Sequence, residues 1–432
     1  QTHSRLLRLL RCRNMWFSSH RLCSIASHLL QSFLLLVLCT MLLIRSPDFF
    51  AFDTRPIYQY AAFAGVVLTL FVMCTGTLKQ SILVLATLFA MFKSYDEVGR
   101  PVPVLQCSAQ GRPCNIVITG ANSGIGLAIA KELSTQGHRI IMACRSEQKC
   151  LKAVKDVVPL GTCQPGTVDL SSLTSIQHWV KKVHSLEHQK IDYFFANAGF
   201  TPSDNSTKFG IESGLGTMHF GHFHMLQLLQ QQDLLAPQAS IIYVASDALR
   251  LGAFHQSLLD TASGLGDLSG EITVGCPPRS GSVAPFCLPP TIVEKYDMRT
   301  APYLSWLNFG SYPRAKLANL LMAREIPKRW RPLKSSSVMP GMVHTNMATR
   351  SAPSLKGLPH YLQEKFMALL LRSTRASATV VLMAAKNVDD GSYVNGQGQQ
   401  VPDNQLPIQA VDQQVQEKLW DITEKFLANV DQ

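Results

Sequence analysis

Apolar and polar positions fall into two regimes along the chain. From Ile25 to Ile44 (IASHLLQSFLLLVLCTMLLI) and from Tyr58 to Thr77 (YQYAAFAGVVLTLFVMCTGT), twenty consecutive positions carry no charge. Twenty helical residues rise about 30 Å, the thickness of a bilayer's hydrocarbon core, so each run is predicted to span a membrane. A third run, Ser81 to Phe92, has only twelve residues between Lys79 and Lys93. It is predicted to lie at the interface or to prolong a tilted second span. After the breaker-rich stretch Gly99–Pro113 the apolar runs shorten. Asn115–Ile118 reads as a buried parallel strand, Leu127–Gln136 as an amphipathic helix closed by Gly137, and Arg139–Ala143 as a second strand. Ile241–Val244 and Ser335–Met339 read as later strands, with a helix from Tyr312 through Lys328 between them. Strands alternating with helices predict an α/β doubly wound parallel sheet over residues 101–432, preceded by transmembrane helices within residues 1–100.

Composition agrees with this division. Of 432 residues 46% are hydrophobic and 16% charged, too apolar for a disordered chain. Mean hydropathy is +0.09, above the usual range for a soluble enzyme. Residues 1–100 hold ten Lys/Arg and four Asp/Glu, so six of the eleven net positive charges sit there. Arg5, Arg8, Arg11, Arg13 and Arg21 precede the first acid, Asp48, and favour the cytoplasmic side for the N-terminus. Two spans would return the chain to that side; three would carry it across. An Arg- and Ser-rich leader free of acid also resembles a transit peptide, although a cleaved signal accounts for one apolar run and not two. The expected location is the endoplasmic reticulum membrane with the large domain facing the cytosol, a mitochondrial or plastid membrane being the alternative. No basic block interleaves with aromatics, so nucleic acid is not an expected partner. The eleven cysteines are irregularly spaced and form no CxxC. They suggest a reducing compartment, with local bridges Cys107–Cys114 or Cys276–Cys287 as the exceptions weighed.

The chemistry begins after the first strand. Thr119-Gly120-Ala121-Asn122-Ser123-Gly124-Ile125-Gly126 follows a strand and opens a helix, the context in which a glycine loop cradles a pyrophosphate on a helix N-terminus. Gly120 suits a tight turn, Gly124 close approach to phosphate, and Gly126 close helix–strand packing. Further on, Tyr312-Pro-Arg-Ala-Lys316 places a phenol and an ammonium one helical turn apart on one face. Tyr296 and Tyr303 have no Lys four residues later. A phenol beside an ammonium can donate a proton to a developing alkoxide if its pKa falls from about 10 toward neutrality.

TGANSGIG resembles the signature of the short-chain dehydrogenase/reductase family. That family's other landmarks follow in order: Val168-Asp169-Leu170, Asn197-Ala198-Gly199, a strand leading to Ser246, the Tyr312/Lys316 pair, and Pro340-Gly341 followed by Val343 and Thr345. The segments ACRS (143–146), GHF (221–223), YxxxKLAN (312–319) and KLW (418–420) are similar to the retinol dehydrogenase and WW-domain oxidoreductase branch. The resemblance covers residues 115 to about 425. It implies a Rossmann-type fold and a catalytic set of Ser246, Tyr312 and Lys316, with Ser246 holding the substrate oxygen and Lys316 also meeting the nicotinamide ribose. It implies cofactor contacts from Gly120, Asn122, Ser123, Gly124, Ile125, Gly126, Asp169, Leu170, Asn197, Ala198, Gly199, Tyr312, Lys316, Pro340, Gly341, Val343 and Thr345. At the end of the second strand stands Arg145, with no acid before Glu147, which favours the 2′-phosphate of NADP(H) over NAD. The expected substrate is an apolar carbonyl or alcohol such as a retinoid, steroid or lipid, with a homo-oligomer or a membrane complex allowed.

Three features depart from the pattern. The family places Asn at the position of Met218, where it serves a proton relay. A thioether cannot, which leaves open a different relay, a slower enzyme, or a non-catalytic subunit of a membrane assembly. His219, His222 and His224 lack the spacing and glutamate of a helical zinc site and are read as helix packing, with no metal expected. Ser246 and Tyr312 are separated by 65 residues, an insertion at about 250–305 expected to form a lid or docking surface.

Overall fold

The computed structural model describes residues 101–107, 111–157, 162–185, 190–200, 207–251, 312–343, 371–387 and 389–430. All belong to the second of the two units into which the chain divides, Asp96–Gln432. The predicted spans, most of the predicted insertion and Thr345 lie outside the described residues. Among the described residues no helix is long and apolar enough to cross a membrane.

Seven strands build one parallel sheet: β1 Asn115–Thr119, β2 Arg139–Cys144, β3 Thr162–Thr167, β4 Ile191–Ala196, β5 Leu235–Val244, β6 Lys334–Val338 and β7 Ser392–Val394. Their order is β3-β2-β1-β4-β5-β6-β7. The helices are α1 Gly124–Thr135, α2 Glu147–Val157, α3 Leu173–His184, α4 His222–Gln231, α5 Tyr312–Arg329, α6 Thr374–Lys386 and α7 Gln413–Val430. They form two layers, each with its own core. On one face Val117, Phe194 and Ile241 meet residues of α3, α4, α5 and α7; on the other Ile116, Ile118 and Ile242 meet α1, α2 and α6. Burial on both faces explains why the central strands read as unbroken apolar runs. β6 is the exception: Ser335, Ser336 and Ser337 are fully buried, and Ser335 Oγ donates to the Ala323 carbonyl of α5.

The predicted boundaries shift in ways that matter. α1 begins at Gly124, inside the glycine motif rather than at Leu127, so the motif's last residues are already helical. Just before α4 the chain runs as a π-helical turn, Gly216–Gly221, that contains Met218. His219 in this turn donates from Nε2 to Thr423 Oγ1 of α7 at 2.8 Å, because the threonine hydroxyl is spent on the Leu419 carbonyl. Its ring packs edge-on to Phe220, and the His222 ring lies edge-on to Phe194, so both histidines are core residues.

Among the described residues two disulfides are present. Cys107–Cys114 is one of the pairs weighed from sequence. Cys144–Cys150, with Cα atoms 5.8 Å apart, closes the β2–α2 turn around Arg145 and stands against the expectation of reduced thiols in this domain.

α7 closes the apolar layer by inserting Trp420, which is 1% exposed, between Phe223 and Trp330, each ring centroid 4.8 Å away. Trp420→Ala is expected to cost about 3–5 kcal/mol, as large-to-small changes at packed aromatics do. Urea unfolding monitored by circular dichroism measures it; a loss under about 1 kcal/mol would mean α7 is not part of the cooperative core.

Candidate active site

In this strand order the chain leaves β1 toward one edge and returns as β4 on β1's other side. A crevice opens where such a reversal occurs, beyond the carboxyl ends of the two strands. The Thr119–Gly126 loop forms its floor. Gly120 and Gly124 have φ of +66° and +58°, a backbone that favours glycine. A Cβ at Gly126 would lie 2.5 Å from Asn197 Nδ2 and 2.7 Å from the Gly120 carbonyl, so only glycine lets α1 sit this close. Ser123 precedes α1 in extended conformation and makes no side-chain cap. The first N–H groups of α1 are therefore free of side-chain acceptors, a donor set suited to a diphosphate.

Asn197, Ala198 and Gly199 follow β4 across the crevice. Asn197 Nδ2 donates to the Thr119 carbonyl at 2.8 Å, and the backbone N–H groups of Asn197 and Ala198 donate to Thr119 Oγ1 at 3.0 and 2.9 Å. Asn197 thus braces the glycine loop, a role beyond the cofactor contact expected of it. Asp169 follows β3. Burial alone would raise its pKa, but hydrogen bonds from Ser171 and the charge of Lys208, 3.5 Å away, hold it below the usual carboxylate range. Leu170 is buried, and its carbonyl would lie 2.3 Å from a Cβ at Gly221. Arg145 is exposed at the end of β2. Asn122, Ser123 and Ile125 line the loop, the last two at the start of α1.

Pro340 and Gly341 follow β6. Gly341 has φ of +91°, and Arg372 crosses the turn to donate to the carbonyls of Pro340 (3.3 Å) and Gly396 (2.6 Å). Val343 bridges to Arg372.

The three residues expected to be catalytic come together. β5 ends at Val244, Ser246 stands two residues on, and α5 opens with Tyr312. Ser246 faces the Tyr312 hydroxyl closely enough to favour its ionised form. Lys316 Nζ lies 5.4 Å from the Tyr312 ring centroid and donates to the Val244 carbonyl at 2.7 Å. Tyr312 and Lys316 are 7% and 2% exposed. Burial pushes the phenol up to about 12, partly offset by Ser246, and brings the ammonium down to about 7. In the protein alone the phenol's pKa is therefore raised rather than lowered, burial being the larger cause.

Three side chains not assigned chemistry from sequence also converge here: Thr119, His222 and Asn319. Each lies inside a quoted motif (TGANSGIG, GHF, KLAN), but only the folded chain shows that they meet.

The short chain dehydrogenase family matches residues 114–262 of this chain. Retinol dehydrogenase 13 of Mus musculus is 26% identical over 319 residues, 71% of this chain and 81% of the relative. The WW domain-containing oxidoreductase of Homo sapiens is 29% identical over 239 residues, and the match spans half of that protein. The chloroplastic protochlorophyllide reductase of Chlamydomonas reinhardtii is 26% identical over 359 residues, 79% of this chain and 85% of the relative. Among solved structures, the NADPH-bound carbonyl reductase from chicken fatty liver aligns over 67% of this chain and 99% of its own, with 18% identity and a TM-score of 0.44.

The buried pair has a thermodynamic signature. Unfolded, Lys316 keeps its proton to about pH 10.5; folded, only to about 7, so the unfolded state binds more protons between these values and stability rises with pH there. Above about pH 10 Tyr312 reverses the sign, because the folded phenol holds its proton to about 12. Urea midpoints are therefore expected to rise from about pH 7 to 9.5 in the native protein, and the rise should shrink in Lys316→Met. An unchanged slope would show that the amine is not the group being relieved.

Proposed function

We propose that this chain is a nicotinamide-dependent oxidoreductase that interconverts a carbonyl and an alcohol. The convergence of Ser246, Tyr312 and Lys316 at the carboxyl ends of the central strands is the observation that carries the reading. When bound, the nicotinamide supplies or accepts the hydride. Ser246 and Tyr312 present two hydroxyls where a substrate oxygen would gather charge. Tyr312, protonated at neutral pH, is the donor for a developing alkoxide. Lys316, held on the Val244 carbonyl, places an amine next to the phenol, and in its protonated form it favours the phenolate as the proton leaves. The uncapped α1 N-terminus and the Gly120–Gly126 loop would hold the diphosphate, and Pro340, Gly341 and Val343 would meet the nicotinamide end.

Arg145, exposed beyond β2 with no acid before Glu147, supports NADP(H) as the cofactor. The apolar N-terminal runs support membrane anchoring, and with the retinol named in one relative they support an apolar substrate. The rival reading, a non-catalytic subunit retaining the fold, draws on Met218 and on the 65 residues between Ser246 and Tyr312.

Purified full-length protein assayed with NADPH and NADH against retinal, steroid ketones and long-chain aldehydes tests the proposal. Tyr312→Phe is expected to lose about 10²–10⁴-fold in kcat, the range of general acid catalysis. Turnover that survives this change, or bound nucleotide with no turnover of any carbonyl, would favour the rival. Arg145→Glu is expected to weaken NADPH more than NADH in a fluorescence titration; equal loss would remove the phosphate role.

A further inference from the structure

The GHF and KLAN segments supply side chains that the mechanism above leaves unused, and both reach the same atom. The Met218 carbonyl, in the π-helical turn, accepts from His222 Nδ1 at 2.9 Å. With its amide oriented to satisfy both ends, Asn319 Nδ2 donates to the same oxygen at 2.9 Å and to the Ala315 carbonyl at 3.2 Å. A carbonyl oxygen has two lone pairs, so both side chains can bond it at once. The backbone N–H of His222 bonds instead to the His219 carbonyl, which leaves the ring to hold Met218. Asn319 lies seven residues after Tyr312 and three after Lys316, on the same face of α5.

The other end of the imidazole defines its tautomer. His222 Nε2 lies 2.9 Å from Thr119 Oγ1. A carbonyl can only accept, so Nδ1 carries the proton and the neutral ring's Nε2 takes the threonine hydrogen. Thr119 Oγ1 meanwhile accepts the N–H groups of Asn197 and Ala198, with the Phe195 carbonyl a longer alternative for its hydrogen at 3.2 Å. His222 is 0% exposed, and burial lowers its pKa to about 4 with a further push from Lys316. His219 and Lys316 are the charged or titratable groups that bear on it. Hydrogen bonds thus run without a break from the Asn197–Ala198 loop through Thr119, His222 and the Met218 carbonyl to α5. The Met218 thioether has a place in this: its sulfur and Lys316 Nζ would lie 3.4 and 3.3 Å from a Cβ at Gly199.

We propose that His222 and Asn319 are positioning residues, which by sharing the Met218 carbonyl hold the Tyr312–Lys316 helix in register with the π-helical turn, the Thr119 bond serving to fix the ring's tautomer. This rests on the proposed oxidoreductase function for its kinetic consequence, and on hydrogen-bond geometry alone for its structural one. In the family pattern a side chain at position 218 serves the proton relay; here the backbone of that position becomes an anchor.

Two substitutions separate the ends of the ring. His222→Asn keeps an N–H near Nδ1 and gives up the acceptor; His222→Gln keeps an acceptor near Nε2 and gives up the bond to Met218. With NADPH and the best carbonyl substrate, the Asn variant is expected to stay within about threefold of native kcat. The Gln variant and Asn319→Leu are each expected to lose about 10- to 100-fold in kcat, the scale of a small misplacement, with the KM for NADPH little changed. Their double variant should be no worse than the poorer single, because both act through one oxygen. Equal losses in the two His222 variants, additive losses in the double, or lowered thermal midpoints with kcat per folded site preserved would overturn the proposal. A readout independent of turnover is ¹⁵N NMR of the full-length protein labelled at histidine, with the His222 ring assigned by its loss in His222→Asn. The ring is expected to be neutral, protonated at Nδ1 and unchanged from about pH 5 to 8; a proton on Nε2, or titration in that range, overturns the clamp. Should native protein turn over no carbonyl, the functional reading fails while the tautomer still decides the clamp.

Discussion

A buried ammonium organises this site. Lys316 has three N–H donors in a place almost without water, and its bond to the Val244 carbonyl ties the start of α5 to the end of β5. The pair beside it inherits that constraint. Tyr312 is buried beside the amine, with Ser246 on the same strand end facing its hydroxyl. Two segments far apart in sequence are thus held to one geometry by a charge that could find few partners elsewhere.

The glycine floor obeys a complementary rule. Lys316 needs a partner in a tight space, whereas Gly120 and Gly126 must bring nothing into one. Asn197 links the two demands: its amide closes on the Thr119 carbonyl, over a gap that a methyl group at Gly126 would fill. Loop, β4 end and α5 behave as one assembly, and the π-helical turn at Met218 is where α4 bends to join it.

Much of this was legible in the sequence, for identifiable reasons. β1, β2 and the core of β5 showed themselves because strands covered on both faces are apolar throughout. That Ser246, Tyr312 and Lys316 would lie together was legible because the family resemblance ties a strand end to a four-residue spacing on a helix. Other features left weaker traces. Cys144 and Cys150 flank a strand-to-helix turn whose geometry no spacing discloses. β3, with Gln164, Pro165 and Gly166, carries no strand pattern and survives as an edge. The direction of the Tyr312 shift depends on burial, which a four-residue spacing does not encode. His222 and Asn319 stood in quoted motifs, yet a backbone carbonyl as their common target has no residue letter to announce it.

β6 bears on how the domain tolerates change. Its Ser335, Ser336 and Ser337 are short side chains in a layer otherwise filled by branched ones, so this strand is thin where α5 and α6 press on it from opposite sides. The depth of the tyrosine-bearing helix is set partly by that slimness, and Ser335 secures it by gripping a carbonyl one row above. A bulkier strand would fold just as readily by its β-propensity and yet act as a wedge, lifting the helix from its seat. In this architecture a modest residue remote from the crevice works as a spacer, and its small size is the property that counts.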